Sequence, residues 1–215
     1  MVKVGINGFG RIGRLILRAL LENYKGKIQV VGINDLGSIE TNAHLIKYDS
    51  THGILNQNVQ STSDGFKIGD QNIKVFAERD PAKLPWGNIG VDVVLECTGF
   101  FLDKASAGKH IQAGAKKVII SAPAKEVDFT LVQGVNSKEL KKDHNIISNG
   151  SCTTNCLAPV AMVLEKNFGI TYGYMTTIHS YTGDQKLLDT LHKDLRRARA
   201  TEGSMIPTST GAAKA

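Results

Sequence analysis

Val2-Lys3-Val4-Gly5-Ile6-Asn7-Gly8-Phe9-Gly10-Arg11-Ile12-Gly13 decides the fold. A short β-branched run leads into three glycines spaced G-x-G-x-x-G. The spacing carries meaning only where it follows a strand and opens a helix, and residues 2–7 and 11–24 read as that strand and that helix. Gly8 permits the tight turn, Gly10 lets the backbone approach a pyrophosphate, and Gly13 lets the helix pack on the strand. Amides at the helix start then face the phosphates. Within the helix, Ile12, Leu15, Ile16, Ala19 and Leu20 recur on one face and are expected to be buried. Gly26 ends the helix, and residues 28–34 form a second apolar strand, completing a βαβ unit. Asp35 closes that strand about 20 residues beyond Gly13, where a carboxylate accepts hydrogen bonds from a ribose diol and repels a 2′-phosphate. The unit therefore predicts NAD, in preference to NADP, as cofactor.

Beyond it the α/β rhythm continues. Residues 40–47 read as a helix. Residues 65–69 and 73–77 read as hairpin strands joined by Asp70-Gln71-Asn72. Strands are expected at 91–96, 117–121, 129–132 and 145–148, with a helix at 103–113. The predicted fold is α/β: a Rossmann-type, doubly wound parallel sheet over residues 1–148, followed by the start of an α+β domain over 149–215. That second part starts with a helix from Cys152 to Asn167 and a long strand at 170–179. Residues 181–202 break the pattern with a polar, Arg- and Lys-rich stretch, and long loops of this kind usually serve function.

Length and composition fit this reading. At 215 residues the chain can hold one large domain, or one domain and part of another. With 41% apolar and 21% charged residues it has a globular composition, which excludes disorder as the main state. No apolar run approaches the ~18 residues of a membrane span, and the first residues lack a signal peptide's apolar core. Three cysteines are too few, and odd in number, for a disulfide scaffold. A cytoplasmic location is expected. The formal charge of +6 points to an anionic ligand.

The chemistry concentrates in Ser148-Asn149-Gly150-Ser151-Cys152-Thr153-Thr154-Asn155-Cys156. Cys152 falls at a helix N-terminus, where the positive end of the dipole favours a thiolate. Ser151 and Thr153 can hydrogen-bond an oxyanion or simply cap the helix. His179, at the end of the next predicted strand, is a candidate ion-pair partner and base. A core role for Cys152 and zinc binding by Cys152 and Cys156 are the competing readings. Zinc lacks a second close pair of ligands, so no metal is expected. Cys97 and Cys156 are assigned to the core.

These segments, together with Asn34-Asp35-Leu36, Lys47-Tyr48-Asp49-Ser50, Ala77-Glu78-Arg79-Asp80-Pro81, Lys117-Val118-Ile119-Ile120-Ser121-Ala122-Pro123 and Thr208-Ser209-Thr210-Gly211-Ala212-Ala213-Lys214-Ala215, resemble the phosphorylating glyceraldehyde-3-phosphate dehydrogenases along the whole chain. The resemblance implies an NAD-dependent oxidoreductase of glycolysis. In it Cys152 attacks the aldehyde of glyceraldehyde 3-phosphate, His179 takes the thiol proton, and inorganic phosphate releases an acyl phosphate from the thioester. It implies NAD contacts at Arg11, Ile12, Asp35, Arg79 and Ser121. It also implies one anion site at Ser151, Thr153, Thr210 and Gly211, and another at Thr182 and Arg197. The 181–202 loop would line a neighbouring subunit's cofactor site in a homotetramer. Leu191 stands where many NAD-specific members carry Pro, which leaves dual NAD/NADP use open, and Gly150 replaces a more usual Ala. The last residues, 209–215, read as the opening of a helix, and about a third of the family's length would follow them. Two alternatives are kept: an erythrose-4-phosphate dehydrogenase, and a non-catalytic nucleotide- or RNA-binding module built on the basic run Lys193-Asp194-Leu195-Arg196-Arg197-Ala198-Arg199. That run has no interleaved aromatics to stack bases, which speaks against nucleic acid as the primary partner.

Overall fold

In the computed structural model of the chain, which describes residues 1–203 and 205–212, strand β1 (Val2–Asn7) lies at the middle of a nine-stranded sheet. Helix α1 (Arg11–Asn23) connects β1 to β2 (Ile28–Asn34), which pairs with it in parallel. Helix α2 (Ile39–Lys47) and the short pair β3 (Tyr48–Asp49) and β4 (Gly53–Ile54) lead to β5 (Val59–Thr62), β6 (Gly65–Ile68) and β7 (Gln71–Phe76). The chain then crosses to the other side of β1 with β8 (Val93–Glu96), α3 (Lys104–Ala107), α4 (Lys109–Gln112), β9 (Lys117–Ile120), β10 (Phe129–Thr130) and β11 (Ile146–Ser148).

The strand order is β10-β11-β9-β8-β1-β2-β7-β6-β5. All neighbours from β10 to β7 are parallel, and β6 and β5 are antiparallel additions. Strand order reverses at β1, between β2 and β8. In open α/β sheets ligands bind at the carboxyl ends of the strands flanking such a point. The expected doubly wound parallel sheet is present.

Packing differs from the sequence reading in one respect. The buried face of α1 is Gly13, Leu17, Arg18 and Leu21, while Ile12 is half exposed and Ala19 is exposed. Gly13 sets the rotation of the helix, because a Cβ there would fall 2.2 Å from the carbonyl oxygen of Gly8. That contact turns the Gly13–Leu17–Leu21 row onto Val4, Ile6 and Ile33, and apolar periodicity alone could not register it. On the opposite face Trp86 is fully buried, and Gly5 and Gly32 make room for its ring: a Cβ on either would lie 2.9 or 3.2 Å from Trp86 Cζ3.

Other departures are local. The hairpin turns at Gly69-Asp70, with Gly69 at a φ of 55°, and Gln71 and Asn72 already belong to β7. The helix expected over 103–113 is two short helices meeting at Gly108.

The chain divides into two compact units, Met1–Ser151 and Cys152–Ala215. The second starts with α5 (Cys152–Phe168), which tolerates Pro159 within it and is closed by Gly169 at a φ of 73°. Residues 170–179 do not form the expected strand: among the described residues this stretch has no ladder partner, and a strand exists only through one. Residues 181–202 are irregular apart from the single 3-10 turn Leu195–Ala198, capped by Asp194. Ser209 to Gly211 are not helical, and Ala213-Lys214-Ala215, the rest of the helix opening expected there, lie outside the described residues.

Candidate active site and dinucleotide cradle

In the first unit the glycine turn joins β1 to α1. Gly8 adopts a φ of 90°, a left-handed conformation that only glycine enters without strain. Gly10 is the N-cap residue of α1 and accepts from the Arg14 amide at 3.1 Å. The amides of Arg11, Ile12 and Gly13 therefore precede the helical ladder. A Cβ on Gly10 would meet nothing within 4 Å, so the space above it is open to a ligand.

Asp35 follows the last residue of β2. Its two carboxylate oxygens accept from the Phe9 amide at 2.8 Å and the Gly37 amide at 2.9 Å, which binds it to the glycine turn and leaves acceptor capacity on each oxygen. This set fits a dinucleotide: an open glycine, amides at a helix start, and a fixed carboxylate beside them. Ile12 is half exposed at the same helix start. Arg11 is paired with Asp49, whose carboxyl is held well below its ordinary range, first by the His52 amide. Arg79 is exposed. Ser121 donates its amide to the Glu96 carbonyl at 3.0 Å, and its side chain bonds Cys97. Burial pushes the Cys97 thiol up to about 12, so this cysteine is inert at neutral pH. Sequence reasoning missed Asn7, Asn34, Glu96 and Thr98 at this edge. The available signal was that three apolar strands each end on a polar residue.

In the second unit Cys152 is the first residue of α5, and Gly150 before it takes a φ of 64°. The Cys152 Sγ lies 3.0 Å from His179 Nε2. His179 Nδ1 lies 2.6 Å from the Ser180 carbonyl oxygen, which can only accept, so Nδ1 carries a proton. Nε2 then faces the sulfur either as the base for the thiol or as the donor to a thiolate. The Cys152 thiol is lowered from its ordinary value, chiefly by the His179 hydrogen bond and in part by Thr153. His179 is raised, first by the Ser180 carbonyl and then by Cys152. The pair opens onto a groove of about 540 Å³ that is also lined by Thr153, Cys156, Thr176 and Thr177. Cys156 is exposed there, contrary to its assignment to the core, because the helix turns this face outward.

The other expected anion-site residues are placed as follows. Arg197 Nε donates to Thr208 Oγ1 at 2.9 Å, its fork pairs with Asp184, and it reaches the Ser209 carbonyl at 3.4 Å. Thr210 accepts from the Ala212 amide at 3.2 Å, and Gly211 beside it is exposed. The Thr182 amide is tied to Gln185 at 2.9 Å. Ser151 is half-buried immediately before Cys152. Arg197 and the 208–210 segment thus come together, and Thr153 joins the cysteine. The basic run is largely neutralised: Arg196 pairs with Asp194, Arg197 with Asp184 and Arg199 with Asp189.

Comparison with known proteins gives one answer. Residues 2–104 match the family model described as "Glyceraldehyde 3-phosphate dehydrogenase, NAD binding domain", and residues 151–215 match that family's C-terminal domain. The chain is 58% identical over 214 residues to a glyceraldehyde-3-phosphate dehydrogenase of Xanthobacter flavus. It is 59% identical over 215 residues to the one of Geobacillus stearothermophilus. In both comparisons all of this chain is covered, and it spans 64% of the relative's length. With a glycine cradle in one unit, a cysteine–histidine pair at a helix start in the other, and both family domains matched in order, the chain belongs to the glyceraldehyde-3-phosphate dehydrogenase family.

Proposed function

We propose that this chain carries the dinucleotide domain and the nucleophile of an NAD-dependent, phosphorylating glyceraldehyde-3-phosphate dehydrogenase. The observation that carries the reading is the 3.0 Å approach of His179 Nε2 to the Cys152 sulfur at the first residue of α5. His179 takes the thiol proton, the thiolate adds to the aldehyde carbon, and the imidazolium returns the proton to the resulting oxyanion, giving a hemithioacetal on Cys152 and a neutral His179. His179 then accepts the hemithioacetal hydroxyl proton as the carbon is oxidised to a thioester. NAD, when bound, supplies the hydride acceptor. Inorganic phosphate attacks the thioester carbonyl, releasing an acyl phosphate and the Cys152 thiolate. Gly8, Gly10, Gly13 and the amides they expose hold the cofactor's pyrophosphate, and Asp35 its ribose, with Arg11, Ile12, Arg79 and Ser121 around it. Thr153, Ser151, Thr210 and Gly211 serve one anion, and Thr182 and Arg197 the other.

The same reading places the protein in the cytoplasm, in keeping with its three free cysteines. It also assigns the 181–202 loop to contacts within a homotetramer. Leu187, Leu188, Leu191 and Leu195 stand exposed on that loop, an apolar load that is normally covered by a partner. Formation of NADH with glyceraldehyde 3-phosphate, followed by absorbance, tests the activity. It should require phosphate or arsenate and vanish in Cys152→Ser. Turnover indifferent to phosphate removes the acyl-phosphate step, and a preference for erythrose 4-phosphate reassigns the substrate. Light scattering after gel filtration tests the tetramer.

A further inference from the structure

Three strands of the parallel sheet end on buried polar side chains: β1 on Asn7, β2 on Asn34 and β8 on Glu96, which are 1%, 6% and 1% exposed. Polar groups at this depth must be bonded, and their orientations follow one from another. The Glu78 amide donates to Asn34 Oδ1 at 2.8 Å, and the Glu78 carbonyl accepts from Asn34 Nδ2 at 2.8 Å, which pins the Asn34 amide. Asn34 Nδ2 also donates to Asn7 Oδ1 at 2.7 Å, so Asn7 turns its own Nδ2 to Glu96 Oε2 at 2.6 Å. From the other side comes the indole N–H of Trp86, which can only donate and lies 3.0 Å from His110 Nδ1. Nδ1 is therefore the acceptor, and the ring proton sits on Nε2, 2.9 Å from the same Glu96 Oε2. The second carboxylate oxygen accepts the Thr98 amide at 2.8 Å and the Thr98 hydroxyl. That hydroxyl accepts from the Phe100 amide at 3.1 Å, so its own proton points to Glu96. Four donors converge on one carboxyl group, and none of them is a cation.

A proton on Glu96 would collide with donors already occupying both oxygens. We infer that Glu96 is a buried, ionised carboxylate held by four neutral donors, and that it is the positioning residue of the dinucleotide turn. It acts by two routes. Through Thr98 it fixes the wall against which the glycine turn is built, since a Cβ on Gly8 would fall 2.7 Å from the Thr98 nitrogen. Through Asn7 and Asn34 it fixes the strand end that carries Asp35, and the Gly8 amide donates to the Asn34 carbonyl at 2.8 Å. This inference rests on the proposal that the edge binds a dinucleotide, whereas the charge on Glu96 does not depend on it.

The test uses the full chain. Nitrogen-15 spectra of wild-type His110 should show a pyridine-type Nδ1 and a pyrrole-type Nε2. The indole proton of Trp86, the sequence's single Trp, should be protected from exchange. Glu96→Gln points amide protons at existing donors. While circular dichroism stays unchanged, its Kd for NAD should rise roughly tenfold or more. Adding Asn7→Asp to Glu96→Gln returns a carboxylate to the network and should recover part of that loss, which a purely structural defect would not do. Thr98→Val, a milder change, should weaken NAD several-fold. A proton on Nδ1, unchanged NAD affinity in folded Glu96→Gln, or no recovery in the double variant would overturn the inference. Should Glu96→Gln fail to fold, the wild-type tautomer decides the charge and Thr98→Val decides the positioning. A wild-type chain that does not bind NAD defeats the dinucleotide reading, and the spectra then judge the Glu96 charge separately.

Discussion

Replacing His179 by Asn should slow alkylation of Cys152 at neutral pH, and the size of the effect can be bounded from the geometry. An ordinary thiol has a pKa of about 8.5, so roughly 3% of it is thiolate at pH 7. The His179 contact at 3.0 Å lowers Cys152 and raises His179, which favours the thiolate–imidazolium form between their ordinary values. Full conversion to thiolate would multiply the reactive species by about 30. Thiolate nucleophilicity falls as basicity falls, with a Brønsted coefficient of about 0.4–0.5, which removes a large part of that gain. The net expectation is a wild-type rate about 2- to 4-fold above His179→Asn at pH 7. The advantage is greatest at and below neutrality, shrinks as pH rises, and reverses once an ordinary, more basic thiol is itself ionised. Cys156 opens on the same groove, so the assay must be iodoacetamide labelling read peptide by peptide in a mass spectrometer. Half-buried Cys97, with its thiol pushed up to about 12, serves as the unreactive internal control. Equal Cys152 rates in the two proteins from pH 6 to 9 would refute the ion pair.

Gly13→Ala drives a Cβ to 2.2 Å from the Gly8 carbonyl oxygen, so α1 must shift, at a cost of about 1–3 kcal/mol in urea unfolding; an unchanged midpoint would mean the helix is not seated as described. Asp35→Gly removes the carboxylate beside the glycine turn and should weaken NAD roughly tenfold while relaxing rejection of NADP, and calorimetry with both cofactors checks it. Asp128 is desolvated, which raises its carboxyl, but the Lys104 ammonium and the amides of Ile146 and Asn145 outweigh burial and bring it to about 2. Because that value lies below the unfolded value of about 3.9, its contribution is present above pH 4 and is lost as pH falls toward 2. Asp128→Asn should cost roughly 1–2 kcal/mol at pH 7, mostly through the two amides because Lys104 is half exposed, and should narrow the gap to wild type in acid.

Legibility followed the range of the forces. The βαβ unit, the glycine turn, Asp35 and the helix start at Cys152 depend on neighbours within a few residues, and the sequence exposes those. The rotation of α1 depends on the contact between Gly13 and the Gly8 carbonyl, where two apolar stripes compete and steric approach selects one. The missing strand at 170–179 shows the limit of β-propensity, since Tyr174-Met175-Thr176-Thr177-Ile178 is well suited to a sheet but the ladder requires a partner. The Asn7–Glu96–His110–Trp86 network was not legible because its members come from four separate segments. Only the sheet register, with Asn7 opposite Glu96 and Asn34, brings the polar ends of those three strands to one edge.

The arginines show why net charge alone is a weak guide to the ligand. A formal +6 suggested anions, and the basic run from Lys193 to Arg199 suggested nucleic acid. In the folded chain Arg196, Arg197 and Arg199 each face an aspartate, and Arg11 faces Asp49. A polyanion would have to displace several such pairs at once. A single phosphate needs only a fork, hydroxyls and amides in one place. Arg197 beside Thr208 and Ser209 has that composition, and so does the glycine turn with the start of α1. Each belongs to one unit, and so does the Cys152–His179 pair. Thiol reactivity and dinucleotide affinity are therefore separable measurements. A chain whose Cys152 alkylates rapidly but which does not bind NAD would place the fault in the glycine cradle, and the reverse result would place it in the cysteine–histidine pair.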